Sequence, residues 1–369
     1  MTRKGPMLVA LVVLLSASVP GLAQQASRLV SPEVHPDRRV TFRLQAPKVE
    51  EVLLSGEFLT EAKKLNKGDD GIWSLTIGPL EPEIYEYEYT IDGVQTIDPA
   101  NATVRNGVRT TASLVNVPGA QPAFYDARAV PHGKVEVRWY DSRSIGTTRR
   151  AYVYTPPTYD AGEETRYPVL YLLHGADGDD SVWTWLGRAN LILDNLIADG
   201  KMAPMVVVMP FGYSGPLNAI TDRGRDRAAF ENDLLRDLIP FVEGSYRVAG
   251  DRGHRALAGL SMGGGQALTI GLNHLETFSR VAGFSSAVRN AEETFKEFAG
   301  KPDAANRQLR LLWVGCGTED SLFDANKQFS EFLTGKGIKH TFRPSDGAHT
   351  WIVWRHYLAE VAPLLFPGT

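Results

Sequence analysis

The chain is poor in cysteine and in net charge, and each shortage excludes a class of protein. Cys316 is the single cysteine among 369 residues, so neither an intrachain disulfide nor a metal site built on several thiolates can form. Lys and Arg number 39 against 43 Asp and Glu, and this balance lacks the basic excess of nucleic-acid-binding proteins. With 43% hydrophobic and 22% charged residues, the composition is that of a globular protein and excludes disorder and fibrous repeats. The length predicts one large domain or two modest ones.

The apolar run near the amino terminus is too short to cross a membrane. It covers residues 7–19, after Arg3 and Lys4, whereas a membrane span needs about 20 apolar residues. Small residues follow at 21–23. Basic residues, an apolar run and then small residues are typical of a secretory signal peptide, which we predict to cover residues 1–23 and to be cleaved after Ala23. Loss of Arg3 and Lys4 moves the net charge from −4 to −6. We expect a secreted or periplasmic bacterial protein without disulfides and without membrane attachment after cleavage.

Residues 24–118 hold short runs of alternating polar and apolar side chains, which predict a small all-β, immunoglobulin-like sandwich. The clearest run is residues 83–91, where Tyr85, Tyr87 and Tyr89 recur at every second position with glutamates between them. A strand with this pattern buries one face, so we expect the three tyrosines to fill the core. The dipeptide Asp92-Gly93 then predicts a tight hairpin turn.

The pattern changes after residues 119–131, a proline-containing segment with few apolar clusters that predicts a linker. In residues 132–369 two strands that still alternate, 135–140 and 150–155, could pair as a hairpin. The apolar runs after them lose the alternation, which is typical of strands buried on both faces of a parallel sheet. Helical patterns separate these runs, so we predict an α/β fold with a doubly wound, mostly parallel sheet. The runs are 169–173, 205–209, 256–258, 281–284 and 311–314, and the helical patterns are 189–198, 228–246, 264–275, 324–335 and 351–365.

Residues 259–263, Gly-Leu-Ser-Met-Gly, fit the pattern Gly-x-Ser-x-Gly. A buried strand precedes them and a helical run follows, and this is the context of a nucleophile elbow. The glycines let the backbone pass close to itself at a strained turn, and Ser261 then stands at a helix N-terminus that favours developing negative charge. Ser261 is therefore the predicted nucleophile.

A serine needs a base, and in this fold the chain order is Ser, acid, His. His274 lies at the far end of the helix that begins after Ser261, His340 opens the last strand, and His356 lies inside the last helix. His349 occupies the loop between that strand and that helix, at the sheet edge where catalytic groups collect. We predict His349 as the base.

The acid is expected after the preceding strand, in the turn that contains Glu319 and Asp320. Neighbouring side chains at a turn point in different directions, so only one of the two reaches His349, and position alone leaves both open. The acid would fix the imidazole tautomer and stabilise the imidazolium.

The oxyanion of the tetrahedral intermediate needs two backbone N–H donors. The residue after the nucleophile, Met262, supplies one, and the loop after the third strand supplies the other. That loop begins His174-Gly175-Ala176, and Ala176 is the predicted donor because Gly175 permits close approach. His174, before a glycine turn, is expected to shape the loop.

Aromatic residues near these positions are candidates for the walls of a substrate pocket, with core packing as the alternative for each. They are Trp183, Trp185, Phe323 and Trp351. The histidines are dispersed without paired spacing, so we expect no metal and no cofactor.

Four segments of the second region resemble one group of the α/β-hydrolases. "YPVLYLLHGADGDDSVW", "GLSMGGGQAL", "GCGTEDSLF" and "GAHTWIVWRHYL" resemble carbohydrate esterase family 1, which includes feruloyl and acetyl xylan esterases and the related esterase D and mycolyltransferase branches. The resemblance covers residues 130–366. It implies a Ser–Asp–His triad with the acid in a "G-T-x-D" turn, which falls on Asp320 rather than Glu319.

The first region resembles the family-48 carbohydrate-binding module, an early-set immunoglobulin-like domain. The segments that carry this likeness are "VTFRLQAP", "EVLLSGEF", "GIWSLTI", "YEYEYTIDG" and "DPAN". A module of this kind before such an esterase domain resembles feruloyl esterases of plant-cell-wall degraders. The pairing implies a secreted serine esterase whose partners are feruloylated or acetylated plant polysaccharides such as arabinoxylan. The alternatives are an acetyl xylan esterase, a siderophore esterase, an acyltransferase and a non-catalytic carbohydrate-binding protein.

Overall fold

The computed structural model of the protein describes residues 29–108, 111–160, 164–215 and 226–367. The predicted signal peptide, residues 1–23, lies outside these ranges. Within them, no helix combines the length and the apolar character that a membrane crossing requires.

The amino-terminal region forms two antiparallel sheets around one apolar core. One sheet has the strand order β1-β2-β6-β5, and the other has the order β4-β3-β7-β10-β9 with β8 paired to β7. In chain order these strands are β1 (Glu33–Val34), β2 (Val40–Gln45), β3 (Val52–Gly56), β4 (Lys63–Lys64), β5 (Asn66–Lys67), β6 (Ile72–Ile77), β7 (Glu83–Ile91), β8 (Val94–Thr96), β9 (Val104–Asn106) and β10 (Thr111–Val117).

The tyrosines of β7 lie in the core of this sandwich, as their alternation predicts. Tyr85, Tyr87 and Tyr89 are all buried. The Tyr87 hydroxyl donates a 2.8 Å hydrogen bond to the buried carboxylate of Asp98, which gives its polar end a partner inside the core. Asp92 and the following glycine have φ of 45° and 83°, the left-handed pair that closes a tight hairpin between β7 and β8.

The second region is built on an eight-stranded sheet of order β11-β12-β14-β13-β15-β16-β17-β18. Strands β11 and β12 form an antiparallel hairpin at one edge, and from β14 to β18 neighbouring strands are parallel. The predicted mostly parallel sheet is confirmed. The strands are β11 (Lys134–Ser142), β12 (Thr147–Thr155), β13 (Val169–Leu173), β14 (Val206–Pro210), β15 (Arg255–Leu260), β16 (Arg280–Phe284), β17 (Leu311–Gly317) and β18 (Thr341–Ser345).

Helices cover both faces of this sheet, and a separate apolar cluster fills the space on each side. The α-helices are α1 (Val182–Trp185), α2 (Ala189–Ala198), α3 (Arg227–Asn232), α4 (Ile239–Ser245), α5 (Ser261–Asn273), α6 (Ala291–Thr294), α7 (Lys296–Ala299), α8 (Pro302–Gln308), α9 (Phe323–Gly335) and α10 (Trp351–Leu365). The helix expected over 228–246 is divided, because a π-helical segment, Asp233–Leu238, joins α3 to α4. Pro240 has no N–H to donate into the preceding turn, which weakens the regular helix at this point.

The two regions share a buried junction at β7 and α10. Arg355 of α10 is fully buried, and its guanidinium pairs with Glu83 at 2.6 Å and donates to the carbonyls of Ile84 and Leu186. Tyr125, from the segment predicted as a linker, is buried beneath the same guanidinium at 4.9 Å from ring centroid to Cζ. The sandwich is therefore packed onto the helix that follows the His349 loop.

Replacing Arg355 by Met keeps most of the side-chain volume but leaves the buried Glu83 carboxylate without its cationic partner. Breaking a buried ion pair from one side typically costs about 3–5 kcal/mol, so we expect the free energy of unfolding to fall by that amount. Urea titration of the purified protein measures it. Arg39→Met is the matched control, because its ion pair with Asp37 is exposed and is worth at most about 1 kcal/mol. Equal losses in the two variants would contradict the prediction.

Candidate active site

The turn that carries Ser261 is strained, and the glycines on either side make it possible. Ser261 directly follows β15 as the first residue of α5, and its φ of 53° is in the left-handed region that non-glycine residues rarely adopt. A Cβ on Gly259 would stand 2.5 Å from the Gly263 carbonyl oxygen, and a Cβ on Gly263 would collide with the His174 carbonyl oxygen. The Gly-x-Ser-x-Gly pattern is thus required by the close approach of β15, α5 and the loop after β13.

A chain of hydrogen bonds joins the three residues predicted to act together. His349 Nε2 lies 3.0 Å from Ser261 Oγ, and His349 Nδ1 lies 2.8 Å from Asp320 Oδ2. The three side chains come from the loops after β15, β17 and β18, which meet because the carboxyl ends of parallel strands share one edge of the sheet. Glu319 is exposed, so Asp320 is the residue of this turn that reaches His349. With Nδ1–H donated to Asp320, Nε2 is free to accept from the Ser261 hydroxyl.

Asp320 is held in its ionised form. Burial opposes the charge, but hydrogen bonds from His349, from the Leu322 amide and from the Ser285 hydroxyl outweigh it, and the pKa of Asp320 stays below its usual value. Ser285 in turn accepts a 3.0 Å hydrogen bond from Trp354 Nε1, and the Trp354 ring meets His349 edge-on at 4.8 Å between centroids. The sequence patterns do not single out Ser285 or Trp354. Ser285 directly follows β16, and its place at the carboxyl end of a parallel strand is the feature that identifies it.

The two predicted oxyanion donors lie beside Ser261. Met262 is the second residue of α5, where backbone N–H groups have no acceptor inside the helix. Ala176 is exposed in the loop after β13 and lines the same cleft as Ser261 and His349. Both predicted donors thus belong to segments that border Ser261, and their role as oxyanion donors stays a prediction.

His174 holds the loop after β13 from the inside of the esterase domain. It is buried, its Nδ1 lies 2.8 Å from the Gly175 carbonyl, and its Nε2 accepts from the Gly212 amide at 2.8 Å. Because Nε2 must accept, the ring is neutral with its proton on Nδ1. Burial is the main cause that lowers the pKa of His174 to about 4, which matches that state.

The four predicted pocket aromatics lie in different surroundings, and only Trp351 lines the cleft. Trp183 is 1% exposed, donates its Nε1 proton to the Leu173 carbonyl and packs against Phe284, so it is a core residue and no cleft wall. Trp185, two residues later in α1, is 65% exposed and does not line the cleft. Phe323 packs against Phe342 at the start of α9 instead.

The sandwich supplies part of the cleft, and no sequence pattern predicts this contribution. Glu57, Glu86 and Arg105 line the cleft together with Ser261 and His349, and its volume is about 190 Å³. The same three sandwich residues line an adjoining groove of about 760 Å³ on the sandwich surface. They follow β3 or lie on β7 and β9, and nothing in their local sequence relates them to a serine that lies 156 to 204 residues further along the chain.

Glu57 is accessible from the cleft but has protein on several sides. This desolvation raises its pKa to about 7, although the Glu86 amide donates to its carboxylate at 2.8 Å. The pKa of Glu86 is also raised by burial, against the opposing effect of Arg105. This end of the cleft is therefore polar and changes charge near neutral pH.

Metal ligands are not clustered in the described part of the chain, where no three His, Cys, Asp or Glu side chains lie together in a way that could hold an ion. Cys316 is buried at the end of β17, and burial raises the pKa of its thiol to about 12. The thiol is therefore protonated at neutral pH and is no competitor to Ser261 as a nucleophile.

The neutral state of His174 predicts a loss of stability in acid. His174 binds a second ring proton near pH 6.5 in the unfolded chain but only near pH 4 in the folded chain. The stability that comes from keeping His174 neutral is therefore complete above pH 6.5 and is lost as the pH falls to 4. We expect the free energy of unfolding to decrease by about 3 kcal/mol more between pH 7 and pH 4 in the wild type than in His174→Gln. Urea titrations at the two pH values measure this, with His254→Gln as a surface control. The same pH dependence of the free energy of unfolding in His174→Gln and His254→Gln would contradict the prediction.

Comparisons with known proteins agree with this geometry. The model of the esterase family, described as "Putative esterase", matches residues 142–365. A protein of Xylanibacter ruminicola named "Endo-1,4-beta-xylanase/feruloyl esterase" is 33% identical over 342 residues, which are 91% of this chain and 46% of that protein. An acetyl esterase of Caldicellulosiruptor saccharolyticus is 23% identical over 223 residues, covering 52% of this chain and 80% of that one. The chain thus spans less than half the length of the Xylanibacter relative.

Solved structures show the same fold. A ferulic acid esterase superposes with a TM-score of 0.56 at 29% identity, covering 64% of this chain and 98% of that chain. The enterobactin esterase of Shigella flexneri superposes with a TM-score of 0.67 at 19% identity and covers 89% of this chain and 92% of its own. The second likeness concerns the fold alone and extends over the sandwich as well. The α/β-hydrolase fold is confirmed, and the chain belongs to the esterase family.

Proposed function

We propose that this chain is a secreted serine esterase that hydrolyses ferulate and related hydroxycinnamate esters on plant cell-wall polysaccharides such as arabinoxylan. The observation that carries the proposal is the hydrogen-bond chain from Ser261 through His349 to Asp320. Secretion rests on the character of residues 1–23. The acyl group rests on the relatives named feruloyl esterase and ferulic acid esterase.

The geometry supports acylation of the serine. Ser261 Oγ attacks the ester carbonyl carbon while His349 Nε2 takes its proton, and ionised Asp320 stabilises the imidazolium. The N–H groups of Met262 and Ala176 hold the oxyanion. When the tetrahedral intermediate collapses, His349 returns the proton to the departing sugar oxygen, and an acyl-enzyme remains.

Water then releases the acid by the same steps. His349 removes a proton from a water molecule, which attacks the acyl carbon, and the second tetrahedral intermediate expels Ser261 Oγ. His349 returns the proton to the serine, so the enzyme is regenerated and the net reaction is ester hydrolysis. An alcohol in place of water would give acyl transfer.

The cleft differs in polarity between its two ends, as an ester of an aromatic acid with a sugar does. Val182, Leu260 and Trp351 supply apolar walls on the esterase side, which suit a flat aromatic acyl group. Glu57 and Arg105 supply hydrogen-bonding groups on the sandwich side, which suit the hydroxyls of the alcohol. The polar groove beyond them has room for further sugar residues.

A siderophore esterase is the second candidate, because the enterobactin esterase shares the fold over both regions. A ferric catecholate is anionic, however, and the sandwich end of the cleft holds Glu57 and Glu86 beside Arg105. An anionic substrate would meet these carboxylates, so the charge of the cleft favours a neutral sugar ester. An acetyl xylan esterase would use the same catalytic groups with a smaller acyl pocket.

Replacing Ser261 by Ala removes the proposed nucleophile without adding volume. We expect kcat/KM for methyl ferulate to fall by roughly 10⁴-fold or more, with unchanged far-UV circular dichroism. Ser330→Ala is the matched control, because it removes another Ser–His pair, 2.7 Å from Ser330 Oγ on α9 to His340 Nε2, and neither residue lines the cleft. Retained turnover in Ser261→Ala would exclude the mechanism.

The same assay on a panel of esters tests the substrate. We expect the highest kcat/KM on feruloylated arabino-oligosaccharides, a lower value on acetylated xylan and the lowest on a ferric catecholate. Product analysis with an added alcohol measures acyl transfer. A preference for the catecholate would replace the proposed function with the second candidate, and sugar binding without hydrolysis would contradict both.

The Glu57 carboxylate is expected to bind a hydroxyl of the sugar, most strongly when ionised. A hydrogen bond to an ionised acceptor is stronger than a neutral one by about 1 kcal/mol, so Glu57→Gln should raise KM for a feruloylated arabino-oligosaccharide about 3- to 10-fold. Because its pKa is about 7, the difference from wild type should be small at pH 6 and largest at pH 8. Methyl ferulate, which has no sugar, is the control substrate. Equal effects on both substrates would show that Glu57 does not contact the alcohol.

A further inference from the structure

Asp177, the residue after the proposed oxyanion donor Ala176, has an unfavourable backbone conformation. Its φ is 68°, in the left-handed region, and the loop around it lies at the surface of the esterase domain. Such a conformation persists only when surrounding contacts hold it. The contacts that hold Asp177 therefore decide where the Ala176 amide points.

Contacts from both domains hold Asp177, and two of those seen among the described residues come from the sandwich. The Asp177 amide donates to the hydroxyl of Tyr213 at 2.8 Å, which is a contact within the domain. Its carbonyl accepts from the Val108 amide at 2.9 Å, and its carboxylate pairs with Arg105 at 3.3 Å. Val108 and Arg105 belong to the sandwich, at and just after β9.

Arg105 is itself fixed by the sandwich. Its Nε lies 2.9 Å from the Glu86 carboxylate on β7, and the side chains of Arg105, Glu86 and Asp177 are only 17%, 22% and 21% exposed. Strand β9 pairs with β10, and β10 pairs with β7, so the backbone that carries Arg105 and Glu86 is one hydrogen-bonded ladder. Sheltered and held at both ends, this ion pair is better ordered than an ordinary surface pair.

We propose that the sandwich holds the oxyanion loop of the esterase domain, with Arg105 as a positioning residue that acts through Asp177 on the Ala176 amide. The proposal rests on the proposed function, in which that amide binds the oxyanion. An oxyanion donor must lie about 2.7–3.1 Å from where the charge develops, so a small displacement of the loop weakens the transition state. The same displacement has little effect on binding of the unreacted ester, because the oxyanion exists only after the serine has attacked.

The sandwich then has a role in the chemical step that is separate from any contact with sugar. The esterase domain supplies the nucleophile, base and acid from its own strand ends. The loop that carries the second oxyanion donor depends in addition on two contacts across the junction. Loss of these contacts should lower kcat even for an ester whose alcohol is too small to reach the sandwich.

The test uses Arg105→Gln, Asp177→Asn and the double variant of the full chain, with methyl ferulate as substrate. We expect kcat to fall about 10- to 100-fold in each single variant with KM changed less than about twofold, since complete loss of one oxyanion donor costs about 10²–10³-fold. The double variant should be no slower than the slower single variant, because both changes remove one interaction. Arg105→Lys keeps the charge and should recover part of kcat.

Inhibitor binding separates positioning from a structural effect. An arylboronic acid forms a tetrahedral adduct with the serine, so its affinity should fall by the same factor as kcat, whereas the affinity for ferulic acid should not change. Arg43→Gln is the matched control, because it breaks a sandwich ion pair with Glu33, 2.7 Å long, on the sheet that does not line the cleft. It should leave kcat and boronate affinity at wild-type values.

Several results would overturn the proposal. Unchanged kcat, multiplicative effects in the double variant, or an unchanged boronate affinity would show that Arg105 does not act through the oxyanion loop. A rise in KM alone would assign Arg105 to ground-state substrate binding. Turnover retained in Ser261→Ala would contradict the proposed function instead. The two failures can be distinguished, because kcat of the Arg105 and Asp177 variants is compared with kcat of the wild type and not with that of Ser261→Ala.

Discussion

The strained backbone at Ser261 is the constraint on which the rest of the site depends. A left-handed conformation at a serine costs about 1–3 kcal/mol and is maintained only by surrounding structure. Here β15 is buried between β13 and β16, and α5 packs across all three strands, so the turn between strand and helix is determined on every side. The strain projects the serine hydroxyl to the carboxyl edge of the sheet, where the loops after β17 and β18 deliver Asp320 and His349.

Around this turn, polar contacts at successive distances from the serine fix one arrangement of the site. Asp320 orients His349, and Ser285 links Asp320 to Trp354, which lies against the imidazole. Neutral His174 fixes the start of the oxyanion loop through Gly175 and Gly212. All of these groups except the partly exposed His349 are buried, and each has its hydrogen-bonding capacity used, which is the condition under which a polar network orders a site instead of destabilising it.

The sandwich is part of the active-site structure as well as a neighbouring domain. Arg355 joins it to α10, the helix that begins two residues after His349, and Arg105 joins it to the oxyanion loop. Glu57 adds a carboxyl group that titrates near neutral pH at the open end of the cleft. The esterase domain by itself contains the Ser–His–Asp chain, but the polar end of its cleft is formed by the other domain.

The sequence by itself determined the two-part architecture, the parallel sheet and the positions of Ser261 and His349, because apolar periodicity and the glycines of a strained turn are local properties. Residue order left Glu319 and Asp320 open, and the structure distinguishes them because one carboxylate is buried beside His349 and the other faces solvent. The aromatic residues show the same limit: Trp183 and Trp351 are alike in sequence context, yet one lies in the core and the other lines the cleft. The resemblance had implied Asp320, and the structure gives the reason. Only tertiary structure decided which tryptophan lines the cleft and what Glu57, Arg105 and Ser285 contribute, since these points depend on which surfaces meet in the folded chain and not on any pattern within a segment.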